Sequence, residues 1–248
     1  MSTIKICRIL GVNIAVTNMA QTVQYIENNL EELRGKYICV SNVHTTVMAH
    51  DNPAYRNVQN SAAIALPDGK PLSVVSRKRG YTEAERVTGP DLMGELFARK
   101  NGLKHFFYGD KEETLQILQQ KLKEKYPDIQ IAGMISPPFR SLSQEEEKAY
   151  IQQINDSGAD IVWIGLGAPK QENWMHEHQG MLHGVMIGVG AGFSYHAGLI
   201  KRAPKWMQRM SLEWFYRLMQ DPVRLFKRYF TTNLKFMLLE AKDKGEAL

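Results

Sequence analysis

The sequence predicts an α/β fold, in which helices cover a mainly parallel sheet, followed by a basic helical appendage. Two observations predict the sheet. Short apolar runs alternate with helical patterns along most of the chain, and Ile161 to Ile164 has the β-branched and aromatic composition of a strand buried on both faces. A third observation predicts the appendage, because only helical patterns follow Gly198. We therefore divide the chain into a body, residues 1–198, and an appendage, residues 199–248.

The strands are predicted from apolar runs bounded by turn signals. In order they are Arg8 to Ile14 (a strand or hairpin interrupted by Gly11), Tyr37 to Val40, Ala62 to Leu66, His105 to Tyr108, Ile129 to Ile135, Ile161 to Ile164 and Gly184 to Val189. The residues between Ser41 and His44 are predicted as a loop.

The helices are predicted from apolar spacing, from capping residues such as Asn18, Thr88 and Ser143, and from prolines at first positions. They are Met19 to Leu33, Thr45 to His50, Asn52 to Asn60, Pro71 to Arg79, Thr88 to Arg99, Lys111 to Tyr126, Ser143 to Asp156, the helix after Pro169, and the appendage helices, which break near Asp221.

Composition indicates a folded protein that stays in a reducing compartment. The chain has 248 residues, of which 44% are hydrophobic and 23% charged, enough for a full core. Its two cysteines, Cys7 and Cys39, are too few for a disulfide scaffold and lack metal-ligand spacing. We find no signal peptide and no window approaching the roughly 18 to 20 apolar residues of a membrane span. A cytoplasmic setting is expected.

Charge is concentrated in the appendage. The net charge is +5, and nine basic residues face only two acidic ones between Lys201 and Lys235. The same segment is rich in large apolar residues, including Trp206, Trp214, Phe215, Phe226 and Phe230. Basic helices of this composition suit the plane of an anionic membrane interface. The alternative is that the aromatic residues form a core beneath a solvated, charged face.

Polar residues follow two strands that are expected to lie close together. Asp68 stands in a Pro-Asp-Gly turn at the carboxyl end of a strand, where a carboxylate could act as a general base. It could equally be a turn aspartate that satisfies its own backbone. Asn42 and His44 follow a neighbouring strand and are expected to reach the same crevice, although a lone histidine is more often structural.

A second candidate segment combines an arginine with a helix start. Arg86 could clamp a diphosphate, and Thr88 with Gly89 could offer hydroxyl and amide donors to it. Helix capping alone would also explain Thr88.

The segment after Ile164 predicts one wall of a phosphate-bearing site. Gly165 and Gly167 allow a sharp turn or a close approach to a ligand, and Pro169 suits a helix start. Gln171 and Glu172 follow in that helix, beyond the carboxyl end of the strand, where open α/β sheets bind ligands. An ordinary strand-to-helix turn remains the alternative.

The glycine-rich segment Gly188 to Phe193 superficially resembles a dinucleotide-binding loop. It lies late in the chain, is followed by Ser-Tyr-His-Ala-Gly rather than by an amphipathic helix, and has no acidic ribose partner about twenty residues further on. We therefore reject a nicotinamide cofactor and expect no cofactor.

Taken together, these motifs resemble the WecG/TagA/CpsF glycosyltransferases, glycosyltransferase family 26. The matching segments are Asn42 to His44, Leu66 to Pro71, Glu85 to Leu92, Trp163 to Glu172, Gly188 to Phe193, Arg202 to Met207 and Leu212 to Leu218. They occur in the family's order and cover the chain from about Leu10 to Tyr229.

The resemblance implies a Rossmann-like fold and an inverting, metal-independent transfer of a sugar. The donor would be a UDP-sugar, and the acceptor a polyprenyl-diphosphate-linked sugar at the cytoplasmic face of the cell membrane. The family's proposed base is the aspartate of the Asp-Gly turn, which is Asp68 here. Asn42, Gln171, Glu172 and Gly190 would line the site. The family's appendage is linked to membrane targeting, which would place this protein as a peripheral protein at the inner face of the membrane.

The appendage arginines of the family are thought to close over the diphosphate. The corresponding candidates, which the sequence does not rank, are Arg202, Arg209, Arg217 and Arg224. Cations suit this task where no metal is bound, and the sequence contains no Asp-x-Asp pair for one.

Two departures from the family pattern bear on substrate and mechanism. Many members have an aspartate where this chain has Ser194, so any role of that carboxylate is in doubt here. The Asn-Val-His sequence also differs from that of the teichoic-acid and common-antigen members. This difference favours an exopolysaccharide or capsule enzyme, so N-acetylmannosamine is not assumed as the donor sugar.

Other classes of protein are less consistent with these motifs. A non-catalytic nucleotide-sugar or lipid-surface binding protein of the same assembly would bind UDP without turnover, but Asp68, Asn42 and Gln171 argue against it. A nucleic-acid binder is supported only by the basic appendage, without a known binding module, so we expect none. A homo-oligomer is compatible with the sequence.

Overall fold

The computed structural model describes residues 4–204, 206–207, 210 and 212–243, with the backbone alone at residues 224, 227 and 228. Within them, one sheet has eight strands in the order β1-β2-β4-β3-β8-β7-β5-β6. The strands are β1 Ile6–Ile9, β2 Val12–Ala15, β3 Tyr37–Ser41, β4 Ile64–Pro67, β5 Lys104–Gly109, β6 Gln130–Ile135, β7 Ile161–Gly165 and β8 Val185–Gly188. The β1–β2 pair is antiparallel and all other neighbouring strands are parallel. The predicted α/β, Rossmann-like sheet is confirmed.

Helices connect these strands and cover both faces of the sheet. In the body they are α1 Met19–Asn28, α2 Leu30–Leu33, α3 Val43–Asp51, α4 Pro53–Asn60, α5 Lys70–Lys78, α6 Gly89–Phe97, α7 Glu112–Lys125, α8 Gln144–Asp156, α9 Lys170–Glu177 and α10 Gly192–His196. The appendage contributes α11 Glu213–Gln220 and α12 Pro222–Lys242.

Three local predictions differ from the structure, each for a side-chain or backbone reason. The helix expected from Met19 to Leu33 divides at Asn29, whose side-chain amide donates to the Tyr25 carbonyl oxygen at 2.7 Å. The loop expected through His44 is instead the first turn of α3, because Asn42 caps that helix in a capping box with Thr45. Gly192–His196, for which no helix was predicted, forms the short helix α10, which begins within the glycine-rich segment.

Two apolar layers, one on each face of the sheet, form the core. One contains Tyr37, Cys39 and Val162, and the other contains Trp163, Phe107 and Phe193. Within the second layer, the Trp163 indole donates to Nδ1 of His105 at 3.2 Å. Burial lowers the pKa of His105 to about 4, so this histidine is a neutral core residue. The rigid sheet fixes the positions of its strand ends.

The appendage packs against the body rather than extending from it. Leu225 and Phe236 of α12 are buried, and α12 lies against α3. Arg79 donates to Glu240 at 2.8 Å, and Lys235 donates to Asp51 at 2.7 Å. No helix in the described part of the chain is long and apolar enough to cross a bilayer. The domain boundary at residues 198 and 199 stays a prediction.

Candidate active site

A cleft opens at the carboxyl ends of the parallel strands, where α3, α5, α6 and α9 begin. β3 and β8 are neighbours there, and the chain leaves β3 towards one edge of the sheet but reaches β8 from the other. A reversal of this kind separates the helices and leaves a crevice for ligands. The cleft has a volume of about 2960 Å³. Pockets for single small molecules usually measure about 300 to 1,000 Å³, so this cleft has room for two substrates.

Asp68 follows the last residue of β4 and lines this cleft. Its amide donates to the Ser41 carbonyl oxygen at 2.7 Å, which ties the ends of β3 and β4 together. Gly69, with a φ of 100°, then turns the chain into α5. Burial raises the pKa of Asp68 to about 6, although the charge of Arg86 and a hydrogen bond with Asn42 lower it. A carboxylate of this kind is ionised at neutral pH and is a stronger base than an exposed aspartate.

Asn42 is oriented by the start of α3. Its side-chain oxygen accepts the amides of His44 at 3.0 Å and Thr45 at 3.2 Å. The side-chain nitrogen is thereby left to donate to the Asp68 carboxylate. His44 lies in the first turn of the helix and also lines the cleft. The structure therefore brings Asn42, His44 and Asp68 together at the ends of β3 and β4.

Arg86 is held by a carboxylate of the appendage. Its Nη1 donates to Oε2 of Glu213 at 2.6 Å, and the other Glu213 oxygen accepts from Arg202 Nε at 3.0 Å. Arg202 also forms a two-pronged ion pair with Asp91, at 2.8 and 3.2 Å. Burial opposes the ionisation of Asp91, but the hydrogen bonds from Arg202 and Thr88 keep its pKa below the usual value. A chain of ion pairs thus connects body and appendage at the cleft.

Thr88 and Gly89 form the start of α6. The Thr88 hydroxyl accepts the Asp91 amide at 3.2 Å and donates to the Asp91 carboxylate at 2.6 Å. This hydroxyl is therefore used in capping, as the alternative interpretation held. A Cβ on Gly89 would approach the Val189 backbone to 3.2 Å, so glycine allows α6 to pack against the loop after β8.

Two appendage arginines flank one aromatic ring. The guanidinium carbons of Arg202 and Arg217 each lie 5.5 Å from the centre of the Tyr195 ring. The positive charge of Arg217 also lowers the pKa of Asp68, which places this arginine within electrostatic reach of the carboxylate. Arg209 lies outside the described residues, as does the side chain of Arg224.

Gln171 and Glu172 lie at the base of the cleft, with their side chains buried. Gln171 accepts the Gly190 amide at 2.9 Å and donates to Glu172 at 2.8 Å. Burial raises the pKa of Glu172. A Cβ on Gly188 would come within 3.1 Å of the Gln171 amide nitrogen. The pair therefore holds the glycine-rich loop in place from beneath.

The sequence motifs did not identify Asp110 or Glu213 as cleft residues, and they did not identify Ser194 as the partner of Asp110. Asp110 follows β5 in a left-handed conformation, with a φ of 59°, and accepts from the Ser194 hydroxyl at 3.0 Å. A carboxylate therefore lies beside the position where many family members have an aspartate. The signal was present, since Asp110 follows a strand as Asp68 does.

The arrangement combines one basic carboxylate with several cations. Asp68 can accept a proton, and Arg86 and Arg217 supply positive charge near it, as a reaction with an anionic leaving group requires. Among the residues that the structure describes, no three His, Cys, Asp or Glu side chains are grouped closely enough to hold a metal ion.

Comparisons with known proteins identify the family of this chain. The family model "Glycosyl transferase WecG/TagA/CpsF family" matches residues 7–247. A relative from Bacillus subtilis (strain 168) is 32% identical over 212 residues, which cover 84% of this chain and 81% of the relative. A relative from Bacillus spizizenii (strain ATCC 23059 / NRRL B-14472 / W23) is 30% identical over 235 residues, 91% of this chain and 90% of the relative. Both relatives are named N-acetylglucosaminyldiphosphoundecaprenol N-acetyl-beta-D-mannosaminyltransferase. This chain belongs to the WecG/TagA/CpsF family and is a glycosyltransferase.

Proposed function

We propose that this enzyme transfers a sugar from a UDP-sugar to a polyprenyl-diphosphate-linked saccharide, with inversion and without a metal ion, in the synthesis of a cell-surface polymer. The observation that carries the proposal is Asp68, a carboxylate with a pKa raised to about 6, beside Arg86 in a cleft that extends to the apolar appendage. The names of the two Bacillus relatives support an acceptor that is a lipid-linked diphosphosugar.

In the proposed step, an acceptor hydroxyl attacks the anomeric carbon of the donor from the face opposite UDP. The new carbon–oxygen bond forms as the bond to the UDP oxygen breaks, and that electron pair leaves with UDP. Asp68 accepts the hydroxyl proton, and Asn42 holds the carboxylate in position by its hydrogen bond. Gln171 and Glu172 support the loop at Gly190, which also lines the cleft.

Arginines are the proposed counter-charges for the departing diphosphate. Arg86 and Arg217 are the best placed of the described candidates, because both act electrostatically on Asp68. Arg202 is paired with Asp91 and Glu213, so its proposed part is to hold α11 against the body. Arg209 and Arg224 stay candidates for the same diphosphate. Planar guanidinium groups bind phosphate oxygens through two parallel hydrogen bonds, which suits a site without a metal.

The donor sugar is the least determined part of the proposal. The two Bacillus relatives are named as N-acetylmannosaminyltransferases. The Asn-Val-His sequence at residue 42 favours a different, exopolysaccharide or capsule branch. Both possibilities belong in one panel of UDP-sugars.

We also propose that the appendage binds an anionic membrane surface at its cytoplasmic face. Trp206, Met210 and Met219 are 58%, 64% and 68% exposed, although large apolar side chains are normally buried. They lie in the segment with nine basic residues, whose charge would attract anionic lipids. A peripheral location at the inner face of the cell membrane follows from this proposal.

The reaction is tested by mixing the protein with a panel of UDP-sugars and a polyprenyl-diphosphate-linked saccharide, and by measuring UDP release and the glycosylated product. We expect release that depends on the acceptor, and the best donor identifies the sugar. The configuration of the new bond, determined by nuclear magnetic resonance, tests inversion, and activity in excess chelator tests metal independence.

If no UDP release is observed, calorimetry of donor binding distinguishes the remaining explanations. Saturable UDP binding without turnover of any donor and acceptor pair would contradict the transfer reaction and favour the non-catalytic binding protein. Nucleic-acid binding that survives removal of residues 199–248 would contradict the expectation that this chain has no such partner.

A further inference from the structure

A groove between α5 and α12 is continuous with the cleft that contains Asp68. Val74 and Lys78 of α5 line one wall, and Phe230, Leu234 and Met237 of α12 line the other. The groove passes from the carboxyl end of β4 along α12 to Glu240, whose ion pair with Arg79 lies at the far end of α5. A ligand in the catalytic cleft can therefore extend into this groove without crossing a helix.

The groove is lined by the second of two apolar faces on α12. The first face, with Leu225 and Phe236, is buried against the body, although Phe236 also reaches the floor of the cleft. The second face has Phe226, Phe230, Leu234 and Met237, which are 61%, 64%, 49% and 67% exposed. Their spacing of three or four residues places them in one stripe along the helix. A helix that has already buried one apolar face has no packing reason for a second one.

The wall formed by α12 is held in position. Arg79 bonds to both Glu240 at 2.8 Å and Asp243 at 3.1 Å, and the Asp243 carboxylate also accepts the Leu10 amide at 3.2 Å. Near the middle of the helix, Lys235 pairs with Asp51 of α3. From Phe226 to Met237 this wall is about 16 Å long at 1.5 Å per residue. The exposed stripe is therefore part of a fixed groove.

The groove has a lysine at each end of α5 and several apolar side chains between them, an arrangement that suits an amphipathic lipid. Lys70 lies at the start of α5, next to Asp68 and Gly69, where the groove joins the catalytic cleft. Lys78 lies at the other end of α5. The α5 residues that line the space between the two lysines are the apolar Pro71, Val74 and Val75 and the polar Ser73 and Arg77. An anionic group bound near Lys70 would leave an attached hydrocarbon chain lying along Val74 and Leu234.

We infer that this groove binds the isoprenoid chain of the lipid-linked acceptor and guides it from the catalytic cleft to the membrane. The inference rests on the proposed function, since that function supplies the chain. It goes further by assigning the chain to specific residues, with the diphosphate at the Lys70 end and the first isoprene units against Val74, Phe230, Leu234 and Met237.

Two leucines of α12 allow a matched test. Leu234 lines the groove and is 49% exposed, whereas Leu238, one turn further along, is 58% exposed and does not line it. Leu234→Glu and Leu238→Glu therefore introduce the same charge at two similarly exposed sites of one helix. The probe is a fluorescent geranyl diphosphate analogue below its micellar concentration, and its dissociation constant is measured without membranes or turnover.

We expect saturable binding to the wild-type protein. Leu234→Glu should weaken it by about tenfold or more, which corresponds to the loss of one buried leucine contact, and Leu238→Glu should change it less than twofold. Val74→Asn, on the opposite wall, should also weaken binding, and unchanged UDP affinity establishes that each variant is folded.

Equal weakening by both glutamate variants would overturn the inference in favour of a general lipid-facing surface. Unchanged binding by Leu234→Glu and Val74→Asn, or no saturable binding to the wild type, would also overturn it. Failure of the proposed reaction is separate, because it would appear as absent turnover while the probe still binds in the groove.

Discussion

Replacing Asp68 by asparagine is expected to stabilise the protein while removing its activity. The Asp68 carboxyl has a pKa of about 6 when folded, against an ordinary value of 3.8, because burial opposes its charge. Between these pH values the folded protein binds more protons than the unfolded chain, so the free energy of unfolding falls as pH rises through this window. Above about pH 7 the full free-energy cost of desolvating the charged carboxylate is present. Asparagine has no charge and avoids this cost.

The size of this effect follows from the difference between the two pKa values. A difference of about two pH units corresponds to about 3 kcal/mol at pH 8, and we expect Asp68→Asn to recover about 2 kcal/mol of it. The extra free energy of unfolding of the variant should fall by about half at pH 5, because the Asp68 carboxyl of the folded wild-type protein is largely protonated there. Urea unfolding of both proteins at pH 5 and pH 8 measures the difference directly. A variant less stable than the wild type at pH 8, or a stability advantage independent of pH, would refute a carboxylate whose charge is destabilised by desolvation.

Further predictions concern the same cleft and the turns that support it. The value of kcat/KM should fall below about pH 6 as Asp68 becomes protonated. A kcat/KM that does not change between pH 5 and pH 7 would exclude Asp68 as the base. Glu213→Gln should move this limb to lower pH, since the negative charge of Glu213 raises the pKa of Asp68, while Glu240→Gln, at the far end of α12, should leave the limb in place. Gly109→Ala should cost at least about 3 kcal/mol in urea unfolding, because a Cβ there lies 2.6 Å from the Gly165 backbone at a φ of 127°. Gly80→Ala, with a φ of 96° and open space around it, should cost only about 1 to 2 kcal/mol, and equal losses would contradict the steric argument.

Much of the fold could be predicted because local signals determine it. Asn52 with Pro53, Thr88 with Pro90, and Ser143 with Glu146 each mark a helix start that the structure confirms. The error at Ser41 to His44 arose because β3 ends at Ser41 and the next residue, Asn42, already caps α3, so no residue is left for a loop. Asn29 was missed because its side-chain bond to Tyr25 competes with a helix that the apolar spacing favours.

The meeting of two candidate residues, Asp68 and Asn42, could be predicted from sequence because each directly follows a strand. Asp68 and Asn42 are neighbours because β3 and β4 are, and the alternation of strands and helices predicts that edge. Glu213 could not be predicted as the partner of Arg86, since the two are 127 positions apart and meet only when α11 packs on the body. Glu172 was predicted to line one wall of the site. Its side chain is instead buried beneath the cleft, because the start of α9 after Pro169 turns this position towards the core.

The central claim, that Asp68 is the base of a sugar transfer, is tested most directly by acceptor-dependent UDP release from wild type and Asp68→Asn at pH 8. UDP affinity is measured in parallel to establish that both proteins bind the nucleotide. We predict release by the wild type and a rate at least ~100-fold lower in the variant, with similar UDP affinity. A variant that retains nearly the wild-type rate while folded and binding UDP would contradict the claim.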